Sequence, residues 1–446
     1  MTEAEKLATL SQMSPTQTAL VIGGGVSGMQ ASLDLADQGF NVVLVEKTPS
    51  IGGAMAMLDK TFPTLDCSAC ILTPKLSEVA RHPNIELLTY SEVTGISGQA
   101  GNFKVKVLRK ARKVLEDKCS GCGDCVEHCP IEIPNEFDQG LGFRRAVYVG
   151  FPQNTPLVYT IDDENCIKCE MCVKACEREA IDLAMKDEEV EIPVGAIVVA
   201  TGFELFDVSK YPRLGYGEYK NVINALEYER LINAAGPTAG HLLRMSDGKI
   251  PKSIGFVQCV GARDVTNQVP YCARVCCMYG IKNAVMAKEL QPDNVKNVTV
   301  YYADIRAYGK GFEEFYNMAQ TRFGIEFIRG RVGEVAENPK TRNIEIRVEN
   351  TETGEYLQHE HELVVLCPGI LPPKELRVIA SELGVDVDSD GYLFVEHPAS
   401  NPVDTKVPGV FVCGCAEGPK DIPDSVAAGS AAAMRASITL AKGGEV

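Results

Sequence analysis

The sequence predicts an α/β chain of two Rossmann-type dinucleotide-binding domains, the first interrupted by a small cysteine-rich insert. Three observations predict it. A glycine turn, "VIGGGVSG", joins an apolar run to a helical pattern near residue 20. A second strand–helix–strand pattern starts at Ser253 and closes at Ile370, and paired four-cysteine runs lie between the two. The expected boundaries are 1–115, 186–250 and 371–446 for the three parts of the first domain, 116–185 for the insert and 251–370 for the second domain.

With 446 residues the chain can bury the cores of two or three domains. It has 17 cysteines, and its first residues, "MTEAEKLATLSQMSPTQ", are polar and lack the apolar core of a secretion signal. An odd count, much of it in C-x-x-C spacing, points to metal or redox chemistry in a reducing compartment rather than a disulfide framework. The expected location is cytoplasmic. The longest apolar runs, "GAIVVATGF" and "LVVLCPGIL", are too short to span a bilayer. A net charge of −16 argues against a general nucleic-acid role.

In "TALVIGGGVSGMQASLDLADQGFNVVLVEK" a buried strand, a turn, a helix and a second strand follow in order. Gly23, Gly25 and Gly28 fit G-x-G-x-x-G: the first permits the tight turn, the second lets a pyrophosphate approach, and the third packs helix on strand. The helix N-terminus offers N–H groups to the phosphates. Glu46, followed by Lys47, ends the next strand 18 residues after Gly28, where a carboxylate would take ribose hydroxyls. Gly52 and Gly53 follow directly. Their placement resembles flavoproteins of the pyridine-nucleotide-disulfide-reductase superfamily, of which thioredoxin reductase is one. So do "AIVVATGF", with Ala200, Thr201 and Gly202, and "GVFVCGCAEG" with Gly414, followed by a helix holding Ser425 and Val426. That resemblance implies bound FAD. Cys415 stands where the superfamily has an aspartate, so the contacts of that loop differ.

The insert carries "CSGCGDCVEHCP" and "CIKCEMCVKAC", both C-x2-C-x2-C-x3-C, the spacing of bacterial ferredoxins with two 4Fe–4S clusters. Three thiolates on a tight loop cap three corners of one cubane, and the fourth cysteine reaches the other. One cluster is expected on Cys119, Cys122, Cys125 and Cys176, the second on Cys166, Cys169, Cys172 and Cys129. A zinc ribbon on C-x2-C pairs is the competing reading. The roughly 40 residues between the runs are expected to project as a long loop.

The second domain lacks the glycine motif, since its first strand runs into "CVGARD", so NAD(P)H binding is not expected there. Cys259, Cys272, Cys276 and Cys277 follow instead. Buried structural thiols and a dithiol pair are alternatives to a metal site. For Cys67 and Cys70, in "DCSAC", a flavin-facing dithiol stands against a local structural contact. Cys367 and Cys413 read as buried β-strand thiols, and Cys415 belongs to no motif.

Taken in order, "GGGVSG", "DCSACIL", the twin ferredoxin runs and "CVGARD…YCARVCCMY" resemble the A-type flavoprotein of heterodisulfide reductase, and its sibling in the quinone-interacting membrane-bound oxidoreductase of sulfate reducers. The resemblance covers residues 18 to 440. It implies a third 4Fe–4S cluster, on Cys259, Cys272, Cys276 and Cys277. The added N-terminal domain and C-terminal ferredoxin domain of the methanogen flavoprotein are expected to be absent. The resemblance further implies an electron-transfer subunit that couples paired electrons on FAD to single electrons on three clusters. Whether the flavin bifurcates electrons stays open. Its partners would be the other subunits of such a complex, dimeric as a whole, and a redox-protein donor or acceptor; any membrane association would come through those subunits. A stand-alone FAD-dependent disulfide reductase using Cys67 and Cys70 is the alternative, and a scaffold with structural clusters is a third.

Overall fold

The computed structural model describes residues 3–444, so the outermost two residues at each end of the expected domains 1–115 and 371–446 lie outside the described residues. The chain divides into two compact units. One comprises 1–56, 71–203 and 372–446; the other comprises 57–70 and 204–371.

In the first unit a five-stranded parallel sheet runs in the order Val410–Val412, Ala196–Val199, Thr18–Ile22, Asn41–Glu46, Ile85–Thr89. Every residue of Thr18–Ile22 is buried, as a central strand covered on both faces requires. Alternation divides the faces. Ala19 and Val21 pack with Met29, Leu33 and Ala36 of the helix Val26–Asp37 and with Ala432, Ala433 and Ala436 of the helix Ile422–Ala441. Leu20 and Ile22 pack instead with Val105, Val107, Ile192 and Val194 of a three-stranded antiparallel sheet. Each buried Val, Leu, Ile or Met among them contributes about 1.5–3 kcal/mol by burial. The result is a helix layer, a parallel sheet and an antiparallel sheet, with the glycine turn at the carboxyl end of the central strand.

The insert has a small core of its own, in which Val114, Val147, Val158 and Ile161 surround Cys125 and Cys172. Its connection does not project as a loop. Glu132–Pro134 pairs with Phe143–Arg145, Val147–Tyr148 pairs with Thr160–Ile161, and the rings of Phe137 and Phe151 stack at 5.0 Å. The segment is bonded to the loop after Glu46: Ile51 N–H donates to Thr155 O at 3.0 Å, and Thr155 N–H donates to Ser50 Oγ at 2.8 Å. Buried Arg112 donates to Pro49 O at 3.2 Å and Thr160 Oγ1 at 2.9 Å, and pairs with Glu116.

The second unit repeats the plan with the order Val222–Asn224, Leu363–Pro368, Ser253–Val260, Asn297–Tyr302, Glu326–Arg329, all parallel, beside a separate three-stranded antiparallel sheet. Residues 204–250, placed by the sequence boundary with the first domain, lie here because Val222–Asn224 forms an edge strand against Leu363–Pro368. The helix Ala225–Ile232 follows from a capping box of Asn224 and Glu227. Residues 57–70 join this unit through that helix. Asp59 N–H donates to Glu229 at 3.0 Å, Arg230 to Met57 O at 3.2 Å and Asn233 to Leu58 O at 3.2 Å. Among the described residues no helix is long and apolar enough to cross a membrane.

Candidate functional site

The glycine turn of the first unit forms a cradle. Gly23 has φ +112°, and a Cβ there would stand 2.3 Å from Ala200 O, so only glycine closes the turn. Gly25 differs: with φ −76° any residue could adopt its backbone, yet no atom lies within 4 Å of its Cβ direction. It caps the helix Val26–Asp37, so the open space faces the helix's free N–H groups. Gly28 packs on Gly23 O. Gly52 N–H donates to Gly24 O at 2.8 Å, and Gly53 lies against Gly25 Cα.

Glu46 is held at the rim. Its Oε2 accepts from Gly24 N–H at 2.7 Å, and its Oε1 accepts from Thr48 N–H and Oγ–H at 2.8 and 2.7 Å. Lys47 turns to the surface and pairs with Glu375 at 3.3 Å. Ala200 N–H bonds Ile22 O, which puts Thr201 beside Gly23, and Thr201 Oγ1 is buried without a hydrogen-bond partner. Gly202 borders open space. Gly414 approaches Ser27, buried Ser425 lies beside it, and half-buried Val426 is on the same helix as Ser425. Buried Cys415 donates its S–H to Lys420 O at 3.5 Å. Open space at Gly25 and Gly202, a helix N-terminus and an unpartnered hydroxyl suit a dinucleotide.

In the insert, Cys129 of the first run lines one cavity with Cys166, Cys169 and Cys172 of the second. Burial, followed by the neighbouring Cys119, Cys122, Cys172 and Cys176, pushes the Cys125 thiol up to about 12. Burial also raises Cys172, with Cys166, Cys129 and Cys169 as its thiol neighbours. Cys129 thus lies with three cysteines of the second run, and Cys176 of the second run is a neighbour of Cys125 in the first. Among the described residues no three such donors converge around a single ion. A cubane asks for a looser set, each thiolate on its own iron.

In the second unit the strand Ser253–Val260 ends at the thiols, and the next helix, Cys276–Leu290, begins only after an excursion through 261–275. Gly261 cannot receive a phosphate, because a Cβ there would meet the Phe206 ring at 2.0 Å. Cys276 hydrogen-bonds Cys259 and Cys277, and all three are buried. The hydrogen bond from Cys276, then the Arg331, Arg263 and Arg306 charges, bring Cys259 down to about 7 against the effect of burial. Cys272 is half-buried on the excursion, and Arg263 lies within electrostatic reach of it and of Cys259. The arginines escaped sequence reasoning because they come from separate loops. Cys367, in the strand Leu363–Pro368, is fully buried and feels Cys259 and Cys277. Cys413 is buried at the end of Val410–Val412, and burial pushes it up to about 12. Cys67 and Cys70 are joined as a disulfide in the second unit.

Three family models match the chain: a 4Fe-4S dicluster domain over residues 107–181, an FAD dependent oxidoreductase over 19–62, and a pyridine nucleotide-disulphide oxidoreductase over 277–433. The chain is 52% identical over 433 residues to the A component of the H(2):CoB-CoM heterodisulfide,ferredoxin reductase of Methanothermobacter marburgensis, covering 97% of this chain and 65% of that protein. It is 50% identical over 442 residues to the A component of the H(2)/formate:CoB-CoM heterodisulfide,ferredoxin reductase of Methanococcus maripaludis, covering 99% and 67%. The chain thus spans about two thirds of the length of these relatives. Among solved structures, thioredoxin reductases of T. acidophilum (TM-score 0.52, 15% identity, 95% of this chain and 98% of that one) and Lactococcus lactis (0.53, 16%, 96% and 99%) share the fold.

Proposed function

This chain belongs to the family of heterodisulfide reductase A components, and from that premise we propose that it is an electron-transfer subunit built on FAD and three 4Fe–4S clusters. One observation carries the reading. The loop Ser50–Gly53 bonds the glycine turn through Gly52 N–H to Gly24 O, and bonds the insert through Ile51 N–H to Thr155 O. One short segment thus ties the dinucleotide cradle to the domain that gathers eight thiols.

In this reading Gly23 to Gly28 and the helix N-terminus hold the pyrophosphate, and Glu46 holds the ribose hydroxyls. Thr201 Oγ1 and the Gly414–Val426 region complete the pocket. Bound there, FAD supplies two-electron chemistry while clusters carry single electrons. Cys119, Cys122, Cys125 and Cys176 would hold one cluster, Cys129, Cys166, Cys169 and Cys172 another, and Cys259, Cys272, Cys276 and Cys277 the third. The chain's burial of Cys125 and Cys172 keeps those thiols protonated until a cluster replaces the protons. Arg263, Arg306 and Arg331 offset the negative charge of the third set.

Other subunits would supply the donor and acceptor sites, in a cytoplasmic complex that reaches a membrane only through them. Anaerobic purification with flavin and iron assays tests the reading; one FAD and about twelve irons per chain are expected. Iron near eight would remove the third cluster, and zinc in place of iron would end the electron-transfer reading. Co-purifying subunits identify the partners.

A further inference from the structure

Of the 17 cysteines, 15 are free and two, Cys67 and Cys70, form a disulfide. A structural staple explains it poorly. The bond closes a sequence separation of three, so it removes little freedom from the unfolded chain. The segment is held without it: Thr61 N–H donates to Asp66 O, Leu65 N–H to Thr61 O and Ser68 N–H to Asp59 O, each at 2.9 Å. Its base is fastened by Glu229, Arg230 and Asn233, and the Phe62 ring meets Phe312 edge-on at 5.4 Å.

The two sulfurs are not equivalent. Cys67 directly precedes the helix Ser68–Arg81, is half-buried, and accepts Cys70 N–H on its Sγ at 3.2 Å. Cys70 is exposed. Thiol exchange needs an accessible sulfur to attack and a leaving thiolate that its surroundings stabilise. A helix N-terminus and a backbone N–H stabilise a thiolate at Cys67. We propose that Cys67–Cys70 is a redox-active disulfide that exchanges with an external thiol, Cys70 being attacked and Cys67 leaving.

The incoming thiolate bonds to Cys70 Sγ as the Cys67–Cys70 bond breaks, and the bonding pair departs on Cys67. A second thiolate then attacks the incoming sulfur of the mixed disulfide, releases an external disulfide and leaves Cys70 to take up a proton. Two external thiols are oxidised and one protein disulfide is reduced; an external disulfide reverses the sequence. The reductant is the thiol itself, a small molecule or the dithiol of a protein, so the inference stands whether or not flavin and clusters are bound as proposed.

The purified holoprotein, kept anaerobic, is incubated with reduced or oxidised glutathione and separately with reduced thioredoxin, then alkylated and analysed by mass spectrometry. The pair is expected to interconvert reversibly with flavin absorbance and far-UV circular dichroism unchanged. Reaction with glutathione assigns a small thiol, and reaction with thioredoxin alone assigns a protein dithiol; either supports the proposal. In the wild type, mixed disulfide caught by acid quench during reduction with glutathione should sit on Cys70 rather than on Cys67. Equal labelling of the two cysteines overturns the assigned polarity. A wild-type disulfide that resists both reductants until the protein is unfolded overturns the proposal outright.

Discussion

Cys129 and Cys172, from different four-cysteine runs, line one cavity in the insert. In the proposed cluster assignment each run depends on the other for one ligand. Cys176→Ala should therefore damage the cluster capped by Cys119, Cys122 and Cys125, while Cys166, Cys169 and Cys172 keep theirs through Cys129. Cys129→Ala should do the reverse. Low-temperature EPR of the reduced variants distinguishes the two losses. If Cys176→Ala abolished only the signal that Cys166→Ala also abolishes, the crossed assignment would be wrong.

The open space at Gly25 predicts a substitution that spares the fold and blocks the ligand. Gly25 has φ −76° and no neighbour within 4 Å of a Cβ, so the backbone and Cβ of Gly25→Val meet no strain. Its methyls would stand where a pyrophosphate meets the helix N-terminus. Bound FAD should fall roughly tenfold or more, since ~1.4 kcal/mol of steric cost already gives that factor. Iron content and thermal stability of the apoprotein should hold. Retention of stoichiometric FAD by Gly25→Val would place the flavin elsewhere.

The glycine turn and the ferredoxin runs were legible because each is a local spacing whose geometry follows from a few consecutive residues. The course of residues 57–70 was not. It depends on hydrogen bonds from Glu229, Arg230 and Asn233, some 170 residues away. The insert's connection read as a loop because its strands are only two or three residues long, too short for any alternation to appear. Phe206 beside Gly261 and the arginines around Cys259 are likewise products of tertiary packing. Cys367 was read as a buried strand thiol, which it is; its closeness to Cys259 comes from pairing between the strands Ser253–Val260 and Leu363–Pro368.

Phe206 bears on nicotinamides. It occupies the approach to Gly261, and the helix that would present N–H groups to a phosphate starts only at Cys276. NADH and NADPH should leave the flavin of the isolated chain oxidised over minutes of anaerobic mixing. Rapid, stoichiometric bleaching by either would support a pyridine-nucleotide enzyme instead. Cys276→Ala complements this test: it should erase one cluster signal and leave FAD bound, because the flavin's phosphates would rest on the first unit.

The last prediction concerns acid stability of the second unit. His361 is 3% exposed, with Nδ1 at 2.8 Å from Ser253 Oγ and Nε2 at 2.7 Å from Tyr301 OH. Burial, and secondarily His359, pushes its pKa down to about 3. In the unfolded chain the imidazole titrates near ~6.5. Above that value neither state is protonated and the group costs nothing. As pH falls toward about 3 the unfolded state takes up a proton that the folded state refuses, so stability drops by ~1.4 kcal/mol per pH unit. Between about pH 6.5 and pH 5 this one group should remove roughly 2 kcal/mol. Urea titrations at several pH values, followed by hydrogen exchange in the strand Glu355–His361, measure the slope. His361→Gln keeps a polar group beside Tyr301 but cannot titrate, so it should flatten the slope by about one proton even if it lowers stability at every pH. An unchanged slope in that variant would assign the acid sensitivity to other groups.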